Sequence, residues 1–213
     1  GAKIDAYAFV SLFDLFVSKT DFQKRYEGLR LIAADGSDIQ IPTNPGHSDS
    51  YFPGANGQAP YNLLHLDVMY DLIQHTYLDA NLCGKRAENE RDTLCAMLNR
   101  SSMENVLLIA DRGYENYNLM AHIQEKGWCF LIRIRDTGIF SALDLPETEE
   151  FDFFVDLSLT RKQTNEVKLL FRDRNHYRLI PASHTFDYLP KKIHKHEPAV
   201  FYKLPFRIVR FRI

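Results

Sequence analysis

The chain has 213 residues, of which 45% are hydrophobic and 25% charged, with a formal net charge of −2. This is globular composition, long enough for a normal core without stapling, and it sets aside a disordered or strongly basic polypeptide. The average hides an asymmetry: residues 161–213 carry 13 Lys+Arg against 4 Asp+Glu, so a basic tail follows an acidic body. That tail is either a surface for an anionic partner or a solvated β-surface.

Phe9, Leu12, Phe13, Phe16 and Val17 recur at helical spacing, which predicts an amphipathic helix over 5–18. A helical pattern already under way at the start is expected of an excised fragment, and residues 1–28 are read as an N-terminal helical segment. Residues 29–35 form an apolar run ending on Asp35, consistent with a buried strand extended past Gly36 by residues 39–41. Residues 42–60 hold four prolines and three glycines and read as a long loop. Two strands are expected at 61–70 and 72–78, with a turn near Asp71.

Residues 88–100 read as a helix with Leu94, Met97 and Leu98 on one face, and residues 106–110 as a buried strand. A helix over 115–126, stopped by Gly127, leads to a strand over 128–135. The order is β-β-β-α-β-α-β. Beyond Asp136 strict alternation at 151–159 and 167–171, then strands near 176–180 and over 204–213, predict a β-rich unit over 141–213.

Cys83, Cys95 and Cys129 form no CxxC, which argues for a reducing compartment and against a disulfide framework. Asn99-Arg100-Ser101 matches a glycosylation sequon without other signs of secretion. No apolar run approaches the roughly 18 residues of a membrane span, and no signal peptide opens the chain.

Two stretches share one design. In "IAADGSDIQIP" an apolar strand runs into Asp35 and Gly36; in "LLIADRGYENYNLM" another runs into Asp111, Arg112 and Gly113. On adjacent strands two such carboxylates would repel by about 3 kcal/mol at ~5 Å and an effective dielectric of ~20. Protonation of one acid, or a divalent cation between them, relieves this, and Mg²⁺ suits a carboxylate pair. Each aspartate alone reads more readily as a helix cap or turn residue than as a ligand.

These stretches resemble the first and second acidic motifs of the DDE transposases of bacterial insertion sequences, in the branch whose core is interrupted by a β-rich insertion. The matching residues are Asp35-Gly36-Ser37 after one strand, then Ala110-Asp111-Arg112-Gly113-Tyr114 with Tyr117-Asn118 after the other. The resemblance covers most of residues 5–135. It implies an α/β, ribonuclease-H-like fold over 29–140 with a mixed sheet, and Asp35 and Asp111 as catalytic metal ligands. It further implies two Mg²⁺ (or Mn²⁺) ions in the intact enzyme and DNA, both transposon ends and target, as partner. A homodimer on DNA and a cytoplasmic, nucleoid-associated location also follow.

The resemblance also requires a third acid, a Glu in a Tyr-x2-Arg-x3-Glu-x6-Lys pattern after the insertion, and no such pattern occurs in the sequence. Glu197 is followed by proline, and Glu166 falls in a stretch read as strand. The expectation is a fragment truncated inside the insertion, inactive alone and weak in metal binding. Alternatives are a non-catalytic remnant or regulator that binds DNA or the full-length enzyme, and a ribonuclease-H-like nuclease outside transposition.

Lys85, Arg86, Arg112, Arg133 and Arg135 are candidate phosphate contacts or plain surface cations, and Tyr114 could stack on a displaced base or pack under its helix. His184, His194 and His196 read as exposed loop residues, and His47, His65 and His75 as structural. Gly54 to Gly57 lacks the strand–helix setting of a phosphate loop. Ser37 has no evident histidine to activate it.

Overall fold

A computed structural model describes residues 5–20, 23–135, 137–194 and 196–212. The chain divides into two compact units, Gly1–Ala110 and Asp111–Ile213.

The first unit opens with helix α1 (Ala6–Lys19), started by the Asp5 side chain accepting from Tyr7 N. Strand β1 (Arg30–Ile41) runs unbroken through Gly36, as the extension by residues 39–41 suggested. The long loop contains a two-residue strand, β2 (Tyr51–Phe52). Strands β3 (Tyr61–Asp71) and β4 (Thr76–Gly84) form a hairpin. Its turn lies later than expected, so β4 extends to Gly84 instead of ending near 78. The reason is Asp71: its buried Oδ1 accepts from Ile73 N (3.0 Å) and Gln74 N (2.9 Å), and His75 adopts a positive φ of 55°. Helix α2 (Glu90–Arg100) and strand β5 (Val106–Ala110) complete the unit.

Strand β1 pairs antiparallel with β3 and parallel with β5, with β2 and β4 both on β3. This is the mixed α/β sheet expected of a ribonuclease-H-like core. Side chains alternate across a strand, and the buried phase of β1 and β5 carries Ile32, Ala34, Val106, Leu108 and Ala110. Helix α2 supplies Leu94, Met97 and Leu98, each at most 2% exposed, and each such burial contributes about 1.5–3 kcal/mol. Its ends fit the helix dipole: Asn89 caps the start with Glu90 and Asp92 in the first turn, and Arg100 in the last turn binds Asp79 at 2.8 and 2.6 Å.

The second unit begins with a 3-10 turn at Arg112–Tyr114, then helix α3 (Tyr117–Glu125), capped by Asn116 and ended by Gly127 at φ 72°. Strand β6 (Cys129–Ile132) follows. Strands β7 (Phe151–Thr160), β8 (Tyr177–Leu179) and β9 (Tyr202–Arg210) form a sheet in the order β8-β7-β9. Its core joins Met120 and Ala121 of α3 to Phe140, Val155, Leu157, Leu159, Leu204 and Phe206.

The alternating stretch at 167–171 is not a strand. Residues Asn165–Leu170 form a short helix, α4, because the Thr164 side chain accepts from Val167 N and its carbonyl from Lys168 N. Val167 is buried, whereas Leu169 is 57% exposed, so the alternation has no second buried face to serve.

All three cysteines are free. Among the described residues no helix is long and apolar enough to cross a membrane.

Candidate functional site

Asp35 lies on β1 where the strand leaves the core, with its side chain exposed and Oδ1 accepting from Gly36 N at 2.9 Å. One residue earlier Ala34 is the register partner of Ala110, the last residue of β5. Neighbouring strands lie about 4.8 Å apart, and each of these two steps directly into an aspartate.

Asp111 opens the second unit. It caps the turn Arg112–Tyr114, its Oδ1 accepting from Gly113 N at 2.7 Å. The capping role that the sequence left open is therefore real, and it occupies one carboxylate oxygen. Arg112 and Arg133 are exposed, as is Arg135, whose backbone N–H donates to Glu115 Oε2 at 3.0 Å. Tyr114 is 2% exposed, which is the packing role of the two weighed for it. Arg86 is exposed and stacks on the Phe52 ring at 4.9 Å.

A cluster of charged side chains in the first unit centres on a residue that the sequence placed among structural histidines. His65 is 2% exposed and shares a sheet face with Asp67 on β3 and with its register partner Asp38 on β1. Its Nδ1 lies 2.7 Å from Asp38 Oδ1 and 3.0 Å from Glu88 Oε2. Its Nε2 lies 3.3 Å from Asp67 Oδ1 and 3.4 Å from Glu90 Oε1. The Lys85 ammonium bonds Asp38 at 2.9 Å and also pairs with Glu88. Among the described residues, Asp38, His65 and Glu88 form the group whose donor atoms could together hold a metal ion.

The cradle's electrostatics follow from burial and pairing. Burial pushes the Asp67 and Glu90 carboxyls above the ordinary range. The His65 hydrogen bond, aided by Lys85, holds Asp38 below it. Burial pulls the His65 imidazole down, but the Asp38 hydrogen bond and the charges of Asp67 and Glu88 outweigh that and raise it. Gly36 completes the cradle: a Cβ there would sit 2.7 Å from His65 Nε2 and 2.9 Å from Glu90 Oε1. The signal for this cluster was present in β3, where His65, Asp67 and Asp71 fall on the buried phase of a period-two strand.

The remaining candidates do not converge. His184, His194 and His196 are exposed, and Lys195 lies outside the described residues. His47 is exposed and pairs with Asn44, while His75 belongs to the β3–β4 turn. Ser37 is exposed on β1. Glu166 is on a helix after all, but Lys162 and Leu159 stand four and seven residues before it, where the third-acid pattern needs Arg and Tyr.

A family model described as "Transposase DDE domain" matches residues 26–197 of the chain. No curated protein matches it significantly.

Proposed function

From the premise that the chain belongs to the DDE transposase family, established by the match over residues 26–197, we propose that Asp35 and Asp111 are its two metal-holding carboxylates for DNA strand cleavage and transfer. The observation that carries this is the β1–β5 register, in which paired Ala34 and Ala110 each precede an aspartate.

The residues fit the divalent ions that the family uses. Both carboxylates are exposed, Asp35 within β1 and Asp111 just after β5, and hard oxygen donors suit Mg²⁺ or Mn²⁺. Bound there, such ions would activate the attacking water or 3′-hydroxyl and neutralise the leaving oxygen of an in-line displacement.

The chain's own contribution is positioning. The Gly36 N–H holds one oxygen of Asp35 and the Gly113 N–H one oxygen of Asp111, so each carboxylate is oriented from its own backbone. The exposed Arg86, Arg112 and Arg133 are the proposed phosphate contacts, which fix register along DNA without reading its sequence. Lys85 is turned into the His65 cradle and Tyr114 is buried, so neither is included.

The proposal extends to a homodimer assembled on DNA and to residues 141–213 as part of the β-rich insertion. The 213 residues hold no Glu in the third-acid pattern, so this chain alone is expected to bind metal weakly and not to cleave DNA. Calorimetric titration with Mn²⁺, comparing wild type with Asp35→Asn and Asp111→Asn, tests the assignment. A supercoiled-plasmid nicking assay tests the expected inactivity.

A further inference from the structure

We propose that the His65 cradle is a second divalent-cation site, in which His65 Nδ1, Asp38 and Glu88 bind a first-row ion of the Mn²⁺–Zn²⁺ class when Lys85 swings out to solvent. The site uses neither Asp35 nor Asp111 and is independent of the reading above.

The imidazole itself poses the problem. Each ring nitrogen of His65 faces two carboxylates, Asp38 and Glu88 at Nδ1, Asp67 and Glu90 at Nε2. A neutral imidazole has one N–H, so its other nitrogen faces negative oxygen with a lone pair unless a proton or a metal ion occupies it. Four carboxylates surround this ring, and Lys85 is the one lysine paired with them in the cluster. A cation at one nitrogen removes the conflict.

Spacing selects the Nδ1 side. An octahedral ion about 2.1 Å from its ligands spaces adjacent ligands roughly 3.0 Å apart. The distances from Nδ1 to Asp38 Oδ1 and to Glu88 Oε2 are 2.7 and 3.0 Å, and the three donor atoms all lie within 4.8 Å of one another. The Lys85 ammonium, 3.5 Å from Nδ1 and bonded to both carboxylates, stands where the cation would sit. With a side chain 24% exposed, it can leave toward water.

Asp67 supplies the independent observation. It is 3% exposed, and its partners are the Asn81 side chain and His65, whose Nε2 lies 3.3 Å from Oδ1. An acid so placed is costly to bury without a donor. A metal-bound histidine donates its other ring N–H to a carboxylate, which fixes the tautomer. Asp67 Oδ1, 3.3 Å from Nε2, stands in that position. Metal at Nδ1 forces the proton onto Nε2, where it faces Asp67. A mixed imidazole–carboxylate set favours Mn²⁺ to Zn²⁺ over Mg²⁺.

The test is calorimetric titration of the full 213-residue chain with Zn²⁺ in excess Mg²⁺. Lys85→Met removes the competing ammonium and is expected to tighten Zn²⁺ binding at least about tenfold; Glu88→Gln and Asp38→Asn are each expected to weaken it by a similar factor. The three changed side chains are partly exposed, so the test does not depend on replacing buried His65, and the His65 ring nitrogen resonances report which nitrogen ligates. The double variant Asp35→Asn/Asp111→Asn should keep the site. An affinity unchanged or lowered in Lys85→Met, wild-type binding in Glu88→Gln and Asp38→Asn, or Zn²⁺ binding lost only with Asp35 and Asp111 would each overturn the proposal. Retained Zn²⁺ binding, with Mn²⁺ binding indifferent to Asp35 and Asp111, would instead sink the assignment of the catalytic acids alone.

Discussion

Gly36→Ala is the sharpest test of how the cradle and the Asp35 strand are built together. The new methyl carbon would lie 2.7 Å from His65 Nε2 and 2.9 Å from both His65 Cε1 and Glu90 Oε1, where ordinary contacts begin near 3.4 Å. Glu90, with a side chain 36% exposed, can move aside. The His65 ring cannot: it is 2% exposed and held through Nδ1 by Asp38 and Glu88. A shift of about half an ångström or more must then come from the ring or from β1, and such overpacking typically costs about 1–3 kcal/mol. For a chain of this size that lowers the melting temperature by roughly 2–12 °C. Urea denaturation followed by circular dichroism measures it, with exposed Ser37→Ala as the neighbouring control, expected within about 0.5 kcal/mol of wild type. A Gly36→Ala chain as stable as that control would refute the packing argument.

Three further outcomes follow from the same geometry. Glu115 accepts from Arg135 N at 3.0 Å and Ile139 N at 2.7 Å while 5% exposed, so Glu115→Ala should cost about 1–3 kcal/mol in chemical denaturation, and a change under about 0.5 would contradict it. Asp187 Oδ2 accepts from His122 and Asn118, both at 2.9 Å, which holds its carboxyl below the ordinary 3.8. A depressed folded pKa stabilises above the unfolded value and is lost as pH falls through the folded one, so the gap in melting temperature between wild type and Asp187→Asn should be flat above pH 5 and close below 3.8. If Arg86, Arg112 and Arg133 contact phosphates, each replacement by Ala should reduce the salt slope of DNA binding by about 0.9; slopes equal to wild type would remove them from the interface.

Much of this organisation was legible in the sequence, for physical reasons. Strands β1 and β5 announce themselves as apolar runs halted by an acid, α2 as one apolar face of Leu94, Met97 and Leu98, and α3 by its stop at Gly127. The errors came where a short side-chain interaction outweighed periodicity. Thr164 starts a helix across an alternating stretch, and Asp71 organises a turn that displaces β4 toward Gly84. The cradle was missed because its members are separated in sequence. Only the register of β1 on β3, with α2 and the turn before it, brings Asp38, His65, Asp67, Glu88 and Glu90 together. The two motif acids were readable because each is local to its strand.

The central claim is that Asp35 and Asp111 hold the metal. The most direct measurement is isothermal titration with Mn²⁺ of Glu88→Gln, which weakens the cradle, alone and combined with Asp35→Asn or Asp111→Asn. Weak binding in Glu88→Gln that falls in both double variants is the predicted result; affinity unchanged in both would contradict the account.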